Sequence, residues 1–341
     1  MNIGLYLAYW PWLTLDEQVE LAIVADDLRM DSVWVAEAWG QDAVSVLGLL
    51  AGRTERVALG SGLLQIPARQ PAATAMAAAT LDVMSGGRFR LGLGVSGPQV
   101  SEGWYGVPFA RPLVRTREYV EIVRAALARE GPLEYAGEQW TLPLPEGLGR
   151  PLKLLARPVQ ERIPIYLGAV GPRAIEQAGA IADGWLPFML DPEQLELIAR
   201  GAESAGRALE DIDVCPVLPL AVADDVAAAR DQVRPWLAFY LGAMGAPSKN
   251  FYVEAADRNG HGDSARAVQE RFLAGDRAGA AAALSDAMID EAAIAVTPDG
   301  LEERVRAVFA GGATTLLALP TGPDKAGGAR ALAEVGARVG G

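Results

Sequence analysis

Short apolar runs alternate with longer amphipathic stretches along the whole 341-residue chain. The runs have the length of buried strands, and the stretches between them repeat their apolar positions with the spacing of a helix. Strands are predicted at 3–8, 32–37, 57–65, 88–96, 163–170, 183–188, 214–222 and 314–320. The helices after them are predicted at 15–29, 42–53, 71–85, 114–130, from about Pro172, and at 191–205, 224–243 and 325–338.

Strands that are apolar throughout, each followed by a helix, indicate a parallel sheet covered by helices on its faces. Eight strand–helix units predict an α/β fold of the (β/α)8 TIM-barrel type, with its site at the carboxyl ends of the strands. A doubly wound open sheet is the alternative, but the eighth unit ends near the C-terminus and favours a barrel. We expect one domain over 1–341, with longer segments at 97–113, 131–162 and 246–313 inserted at the barrel mouth.

The composition makes several classes of function improbable. A net charge of −13 disfavours nucleic acid as a partner, and no apolar run is long enough to span a membrane. Cys215 is the one cysteine and His261 the one histidine, which leaves little material for a zinc site or a catalytic triad. We expect a cytoplasmic protein without a signal peptide or metal site, in which a bound cofactor supplies any reactive group. His261 lies in "DRNGHGD", which predicts an exposed turn.

The stretch "GLGVSG", Gly92 to Gly97, matches the G-x-G-x-x-G pattern of dinucleotide-binding sites and follows a strand. That strand is the fourth and not the first, and the following "PQVSEGWYGVPFARP" has no helical period. We therefore interpret the stretch as a loop at the barrel mouth. Its glycines would let the backbone approach a flat or phosphorylated ligand closely.

Residues at the predicted carboxyl ends of the strands are mostly aromatic or small. They are Tyr9, Trp10 and Trp12, then Glu37 and Trp39, then Ser61, Gly62, Leu63 and Gln65, then Ser96 and Gly97, then Val170, Gly171 and Pro172, and finally Trp185 and Phe188. Such a set suits a planar, conjugated ligand between apolar walls, although large aromatic side chains are also common in cores. The carboxylate of Glu37 is costly to bury unpaired, so it either serves a ligand or pairs with an arginine.

Two features are typical of an anion site. In "AVGPRA" (169–174), Gly171 and Arg173 lie at the start of a predicted helix, where backbone N–H groups and the helix dipole favour phosphate. Arg111, Arg115 and Arg117 form a cluster near the fourth strand. This cluster either holds an anionic tail or covers a solvated helix face.

Three blocks of sequence in this order resemble the luciferase-like superfamily of flavin- and deazaflavin-dependent oxidoreductases. They are "SVWVAEAW", "VALGSGLLQIPARQP…LDVMSGGRFRLGLGVSG" and "PIYLGAVGPRAIEQAGAIADGWLP". The similarity extends over about 1–240 and returns in the last unit. It is greatest to the branch that uses coenzyme F420. The resemblance implies an enzyme that transfers a hydride between F420 and a small organic substrate, and a homodimer.

The resemblance also implies roles for individual residues. The third strand of these relatives ends in a bulge with a non-prolyl cis peptide behind the deazaflavin ring, here at Gly62–Leu63. Glu37 is the expected catalytic or orienting residue, and Ala38 replaces the histidine of the sugar-phosphate dehydrogenases. The expected cofactor residues are Ser61, Gly62, Leu63, Gln65, Gly94, Val95, Ser96, Gly97, Val170, Gly171, Pro172 and Arg173. The expected substrate residues are Tyr9, Trp10, Trp39 and Trp185.

Two other functions fit the same resemblance. One is an FMN-dependent monooxygenase, because FMN and F420 share a tricyclic ring and a phosphate. The arginine cluster favours F420, whose oligoglutamate tail needs cationic contacts. The other is a non-catalytic flavin-binding protein, in which Trp39 or the segment 246–313 would fill the pocket beside the ring.

Overall fold

Parallel strands form one curled sheet in the computed structural model, which describes residues 1–245 and 249–339. The strands are β1 (Asn2–Leu7), β2 (Ser32–Val35), β3 (Ala58–Ser61), β4 (Leu64–Gln65), β5 (Phe89–Gly94), β6 (Tyr135–Ala136), β7 (Thr141–Leu142), β8 (Ile165–Gly168), β9 (Gly184–Leu186), β10 (Asp213–Val214), β11 (Val217–Val222), β12 (Ile294–Val296) and β13 (Thr315–Pro320). The helices are α1 (Leu15–Asp27), α2 (Ala43–Ala51), α3 (Pro71–Met84), α4 (Pro98–Gly103), α5 (Pro112–Ala128), α6 (Pro172–Ile181), α7 (Pro192–Ser204), α8 (Val226–Ala243), α9 (Phe251–Arg258), α10 (Gly262–Leu273), α11 (Arg277–Ala282), α12 (Asp286–Ala292), α13 (Leu301–Ala310) and α14 (Lys325–Val339).

The strands of the sheet follow the order β10–β9–β8–β5–β3–β2–β1–β13–β11–β12, and β4 pairs with β5 beside this path. Their pairings are parallel, whereas β6 and β7 form a separate antiparallel hairpin. Helices pack against the sheet. Their apolar faces and the apolar strands form one common core. The predicted α/β fold with a parallel, helix-covered sheet is therefore confirmed.

Each predicted strand–helix unit appears, but some details differ. The third apolar run is divided into β3 and β4, with Gly62 and Leu63 between them. The prediction that no helix follows "GLGVSG" is wrong, because α4 begins at Pro98, a residue that suits a first helical turn. The pattern also missed the β6–β7 hairpin and β12.

The predicted segment 246–313 is mostly helical. Its residues 246–248 lie outside the described residues, and the rest contains α9 to α13 and β12. The helices α9 to α12 pack with α8 around a second apolar core that includes Leu241, Val268 and Met288. This packing places α8 and α9 beside the carboxyl ends of the strands.

Buried carboxylates fasten the segment 131–162 to the helices beneath it. Glu118 on α5 accepts backbone N–H groups from residues 138–140, at 2.7–3.3 Å. Asp82 on α3 accepts the N–H groups of Val159 and Gln160 at 2.6 and 3.0 Å. Within the described ranges, no helix is both long and apolar enough to cross a bilayer.

Candidate functional site

A cavity of about 730 Å³ lies beside the carboxyl ends of β3, β5, β8 and β9, where the fold class predicts a site. Residues of α8, α9 and the turn before α6 complete its walls. The volume falls within the range of small-molecule and cofactor sites. In the described part of the chain, no group of three or more His, Cys, Asp or Glu side chains is arranged to hold a metal ion.

Most of the predicted cofactor residues line this cavity, and so does Glu37. They are Gly62, Leu63, Gln65, Gly94, Val95, Ser96, Gly97, Val170, Gly171, Pro172 and Arg173. Ser61 does not line it. Its fully buried hydroxyl donates to the Gly92 carbonyl at 2.9 Å and accepts the Gly92 N–H at 2.8 Å, which joins β3 to β5.

The four aromatic residues predicted for the substrate are absent from the described cavity lining. Trp10 and Trp39 are exposed, and Trp185 is fully enclosed with its indole N–H donating to the Ala169 carbonyl at 2.9 Å. Tyr9 lies behind the wall, with its ring centroid 6.1 Å from that of Trp236. Trp185 is therefore a core residue, the alternative considered for the aromatic side chains. The four residues predicted to form the substrate wall do not line the described cavity.

The Gly62–Leu63 peptide bond is cis, as predicted. The Tyr6 hydroxyl donates to the Gly62 carbonyl and so connects β1 to this bulge. A Cβ atom on Gly168 would lie 2.2 Å from Leu63 Cδ1, and one on Gly94 would lie 3.0 Å away. The glycines of β5 and β8 therefore make room for the Leu63 side chain. The interpretation that the glycines of "GLGVSG" let the backbone approach a ligand stays a prediction, and Gly94 and Gly97 line the cavity.

Glu37 is held by an arginine that the sequence analysis did not single out. Its two carboxylate oxygens accept the Arg69 guanidinium at 2.5 and 2.9 Å, and they also accept the N–H groups of Ala43 at 3.0 Å and Gln65 at 3.3 Å. Burial lowers the pKa of Arg69, but the hydrogen bond and charge of Glu37, together with Asp42, outweigh burial and raise it above its usual value. Glu37 was expected either to serve a ligand or to pair with an arginine, and the structure shows the pair with Arg69.

Gln65 presents an unsatisfied acceptor within the cavity wall. Its Nε2 donates to the Glu37 carbonyl at 3.3 Å, whereas its Oε1 is buried and has no hydrogen-bond partner among residues 1–245 and 249–339. A buried acceptor without a partner is unfavourable by about 1–3 kcal/mol. The pyrimidine-dione ring of a flavin or deazaflavin carries an imide N–H donor, so Gln65 fits either group.

The turn before α6 is where the sequence predicts an anion site, which stays a prediction. Gly171 is the N-cap residue, Pro172 begins the helix, and no side chain caps its first turn. Arg173 lines the cavity there. Arg258 of α9, which was not predicted, donates to the Val170 carbonyl at 2.9 Å and adds a second cation beside this turn.

The predicted arginine cluster does not reach the cavity. Arg111 pairs with Glu138, Arg115 donates to the Pro108 carbonyl at 2.9 Å, and Arg117 lies 3.7 Å from Glu121. Pro112, Leu113 and Thr116 of the same stretch do line the cavity, so the cluster lies beside it. Both roles considered for the cluster therefore stay predictions.

Five aromatic side chains form one wall of the cavity, and of these only Phe188 was among the strand-end residues named from the sequence. We call Tyr6, Phe188, Trp236, Tyr240 and Tyr252 the aromatic chamber. The ring centroid of Tyr252 lies 4.8 Å from Phe188 and 5.2 Å from Tyr240, and Trp236 lies 4.9 Å from Tyr240. Trp236 and Tyr240 are four residues apart on α8, so helical spacing alone could have placed them on one face.

His261 lies away from the cavity and is not the exposed turn residue that we predicted. It is the N-cap residue of α10, and its side chain is 13% exposed. Its Nε2 lies 2.7 Å from Oε2 of Glu291 on α12. The contact joins two helices of the second core.

A parallel α/β fold with a cavity at the carboxyl ends of its strands, lined by glycines and aromatic side chains, is typical of a protein that binds a small organic ligand. The family described as luciferase-like monooxygenase matches residues 6–315. The chain therefore belongs to the luciferase-like family, as the sequence blocks predicted.

Similar proteins place the chain more closely within this family. It is 41% identical over 327 residues (93% of this chain, 94% of the relative) to a Mycobacterium tuberculosis protein whose name provisionally assigns it to the coenzyme F420-dependent oxidoreductases. It is 32% identical over 308 residues to the 5,10-methylenetetrahydromethanopterin reductase of Archaeoglobus fulgidus, with 89% of each chain covered. The solved F420-dependent tetrahydromethanopterin reductase of Methanopyrus kandleri superposes with a TM-score of 0.84 and 27% identity, over 98% of this chain and 97% of that one.

Proposed function

We propose that this chain is a coenzyme F420-dependent oxidoreductase that transfers a hydride between the deazaflavin ring and a small organic substrate. The unpaired Oε1 of Gln65 in the cavity wall carries the proposal from the structure. This acceptor fits several ring cofactors. F420 is favoured among them because relatives of this chain are named as F420-dependent enzymes.

In this proposal, different residues around the cavity bind different parts of the cofactor. Gln65 accepts from the ring, and the Gly62–Leu63 bulge supports one face of it. Gly94 to Gly97 follow the ring and its ribityl chain. The turn from Val170 to Arg173 holds the phosphate through backbone N–H groups and the Arg173 charge.

When bound, F420 supplies or accepts the hydride, and the protein provides position and exclusion of water. We assign Glu37 the role of orienting Gln65. Both of its carboxylate oxygens already accept from Arg69, and one of them also accepts the Gln65 N–H. The apolar wall of the aromatic chamber excludes water from the space beside the ring.

The two alternative functions make different predictions about the cavity. A non-catalytic binding protein would have its pocket filled by Trp39 or by the segment 246–313. Trp39 is not part of the described lining. Phe251 and Tyr252 of the segment do line the cavity, which still measures about 730 Å³. An FMN-dependent monooxygenase would use the same acceptor and anion site. Only direct binding separates FMN from F420.

We therefore expect the purified chain to bind F420 at least tenfold more tightly than FMN, as measured by fluorescence titration. Gln65→Met should weaken F420 binding about tenfold, because one buried hydrogen bond contributes about 1.4 kcal/mol. Gln194→Met is the matched control, since Gln194 is also buried with unpaired side-chain atoms but does not belong to the described cavity lining. Tight FMN binding without affinity for F420 would refute the proposal.

We further propose that the sheet closes as the predicted eight-unit barrel. Only Cys215 and Pro216 separate β10, which pairs with β9, from β11, which pairs with β13. The run 213–222 then acts as one interrupted strand that joins the two ends of the sheet. A crystal structure with β9 and β13 unbridged would exclude closure.

We also propose a homodimer, as expected for relatives of this branch. The segment 143–159 supports it, because Leu144, Leu148, Leu152 and Leu155 expose 73–105% of their surface. Exposed leucines in such number are unusual on a surface without a partner.

A further inference from the structure

One arginine joins the end of α9 to the turn before α6. Arg258, the last residue of α9, donates through Nη2 to the Val170 carbonyl at 2.9 Å, across 88 positions of the chain. Val170 and Gly171 line the cavity, whereas Arg258 does not belong to its described lining. Arg258 therefore acts on this turn from outside the cavity.

The bond fixes the orientation of the peptide unit that joins Val170 to Gly171. This unit is planar and trans, so its C=O and N–H groups point in opposite directions. Because Arg258 holds the carbonyl on one side, the Gly171 N–H is directed to the other side. In the ranges 1–245 and 249–339, no acceptor takes a hydrogen bond from this N–H. A Cβ atom on Gly171 would meet nothing within 4 Å apart from its chain neighbours, so there is open space beside it for a ligand.

The same bond strengthens the Gly171 N–H as a donor. A hydrogen bond from an ionised group such as a guanidinium is stronger than one between neutral groups. It polarises the amide, and hydrogen bonds that share an amide strengthen one another. The Gly171 N–H is therefore a fixed and polarised donor for an anion in the cavity.

We propose that Arg258 is a positioning residue for the phosphate of the cofactor. It holds the Val170–Gly171 peptide unit so that the Gly171 N–H meets a phosphate oxygen, and it acts through the Val170 carbonyl without touching the phosphate. This inference rests on the proposed function, which puts the phosphate at this turn. It adds that α9, which also carries Phe251 and Tyr252 of the cavity wall, takes part in binding the phosphate.

Affinity for two probes separates a phosphate effect from a general loosening of the site. The probes are the deazaflavin ring with its ribityl chain, with and without a terminal phosphate, and neither carries the glutamate tail. Fluorescence titration of the full chain measures both. We expect Arg258→Ala to weaken binding of the phosphorylated probe about tenfold, as for loss of one hydrogen bond, and to leave the other probe unaffected. Arg258 is exposed, so its loss should leave the fold intact.

Two further measurements separate positioning from simple attraction between charges. Arg258→Lys keeps a donor on a long side chain and should restore most of the affinity for the phosphorylated probe. A charge that attracted the phosphate directly would lose most of its effect at about 1 M NaCl, where the screening length is about 3 Å. We expect the difference between Arg258→Ala and the unmodified chain to persist at that salt concentration.

Arg277→Ala is the matched control, since Arg277 also donates to a backbone carbonyl, that of Phe272, at 2.8 Å in the second core. It should bind both probes as the unmodified chain does. The inference would be overturned by an equal loss of both probes in Arg258→Ala, by no loss of the phosphorylated probe, or by a loss that disappears at high salt. Equal affinity of the unmodified chain for the two probes, or an Arg258→Lys variant as weak as Arg258→Ala, would overturn it as well. Failure of the unmodified chain to bind F420 refutes the proposed function itself, and the inference with it.

Discussion

The ion pair with Arg69 restricts the roles open to Glu37, the one acidic residue in the described lining of the cavity. Both side chains are largely buried, with 2% and 19% of their surface exposed. We expect Glu37→Gln to reduce the free energy of unfolding by about 3 kcal/mol, because it leaves the buried guanidinium with less compensation. Turnover at saturating F420 should change less than threefold, which urea unfolding and steady-state kinetics would measure.

Asp42→Asn is the matched control for Glu37→Gln, since it removes the other carboxylate that contacts Arg69 at a more exposed position. Its effect on stability should be smaller, about 1 kcal/mol. A 100-fold loss of turnover in Glu37→Gln at unchanged stability would assign proton transfer to Glu37 instead.

Single residues show where sequence reasoning succeeds and where it fails. Gly62–Leu63 was predicted as a cis bond because the surrounding block resembles a family that carries one there. Arg69 was not predicted as the partner of Glu37, because the two residues are 32 positions apart and no local pattern links them. Trp185 ends an apolar strand as a site residue would, but side chains alternate between the two faces of a strand, and its own faces the core.

The β6–β7 hairpin depends on one buried carboxylate of α5. Burial of Glu118 tends to raise its pKa, but the N–H groups of Gln139, Glu138 and Trp140 outweigh burial and lower it. A carboxylate whose pKa is lower in the folded state stabilises the protein above its unfolded pKa, about 4.3. That contribution disappears as the pH falls through the folded value.

We therefore expect Glu118→Gln to lower the free energy of unfolding at pH 7 by about 1–3 kcal/mol, because one carboxylate serves three backbone donors. The difference from the unmodified chain should shrink as the pH falls below about 4. Urea unfolding at pH 7 and at pH 3 would measure both values. Glu20→Gln at an exposed position of α1 should have little effect, and an equal loss in both variants would contradict the role of Glu118.

The elements that the sequence predicted are those whose own pattern of apolar residues is enough to identify a strand or a helix. The strand β13 is buried throughout and β1 is buried from Ile3 onward, so continuous apolar runs identified them. The strands β6 and β7 have two residues each and are partly exposed, which leaves no periodicity to detect. The aromatic chamber was missed for another reason: β1, the turn after β9, α8 and α9 come together only in the folded chain.

At the scale of the whole molecule, charge limits how two copies can associate. The chain carries a net charge of −13, so most pairs of surfaces repel each other. The segment 143–159 is an exception. It contains Glu146 with Arg150, Lys153 and Arg157, a balance of +2, together with its exposed leucines.

In the proposed dimer, this segment would contact an acidic second copy through both charge and apolar surface. We expect light scattering to give the mass of a dimer, and the double change Leu148→Glu with Leu155→Glu to give that of a monomer, because it buries two carboxylates in the interface. Leu273→Glu is the matched control, since Leu273 is 52% exposed at the end of α10. A monomer in the unmodified chain, or a dimer that survives the double change, would show that association does not use this segment. Because Asp82 fastens its far end to α3, dissociation should leave the fold and F420 binding intact.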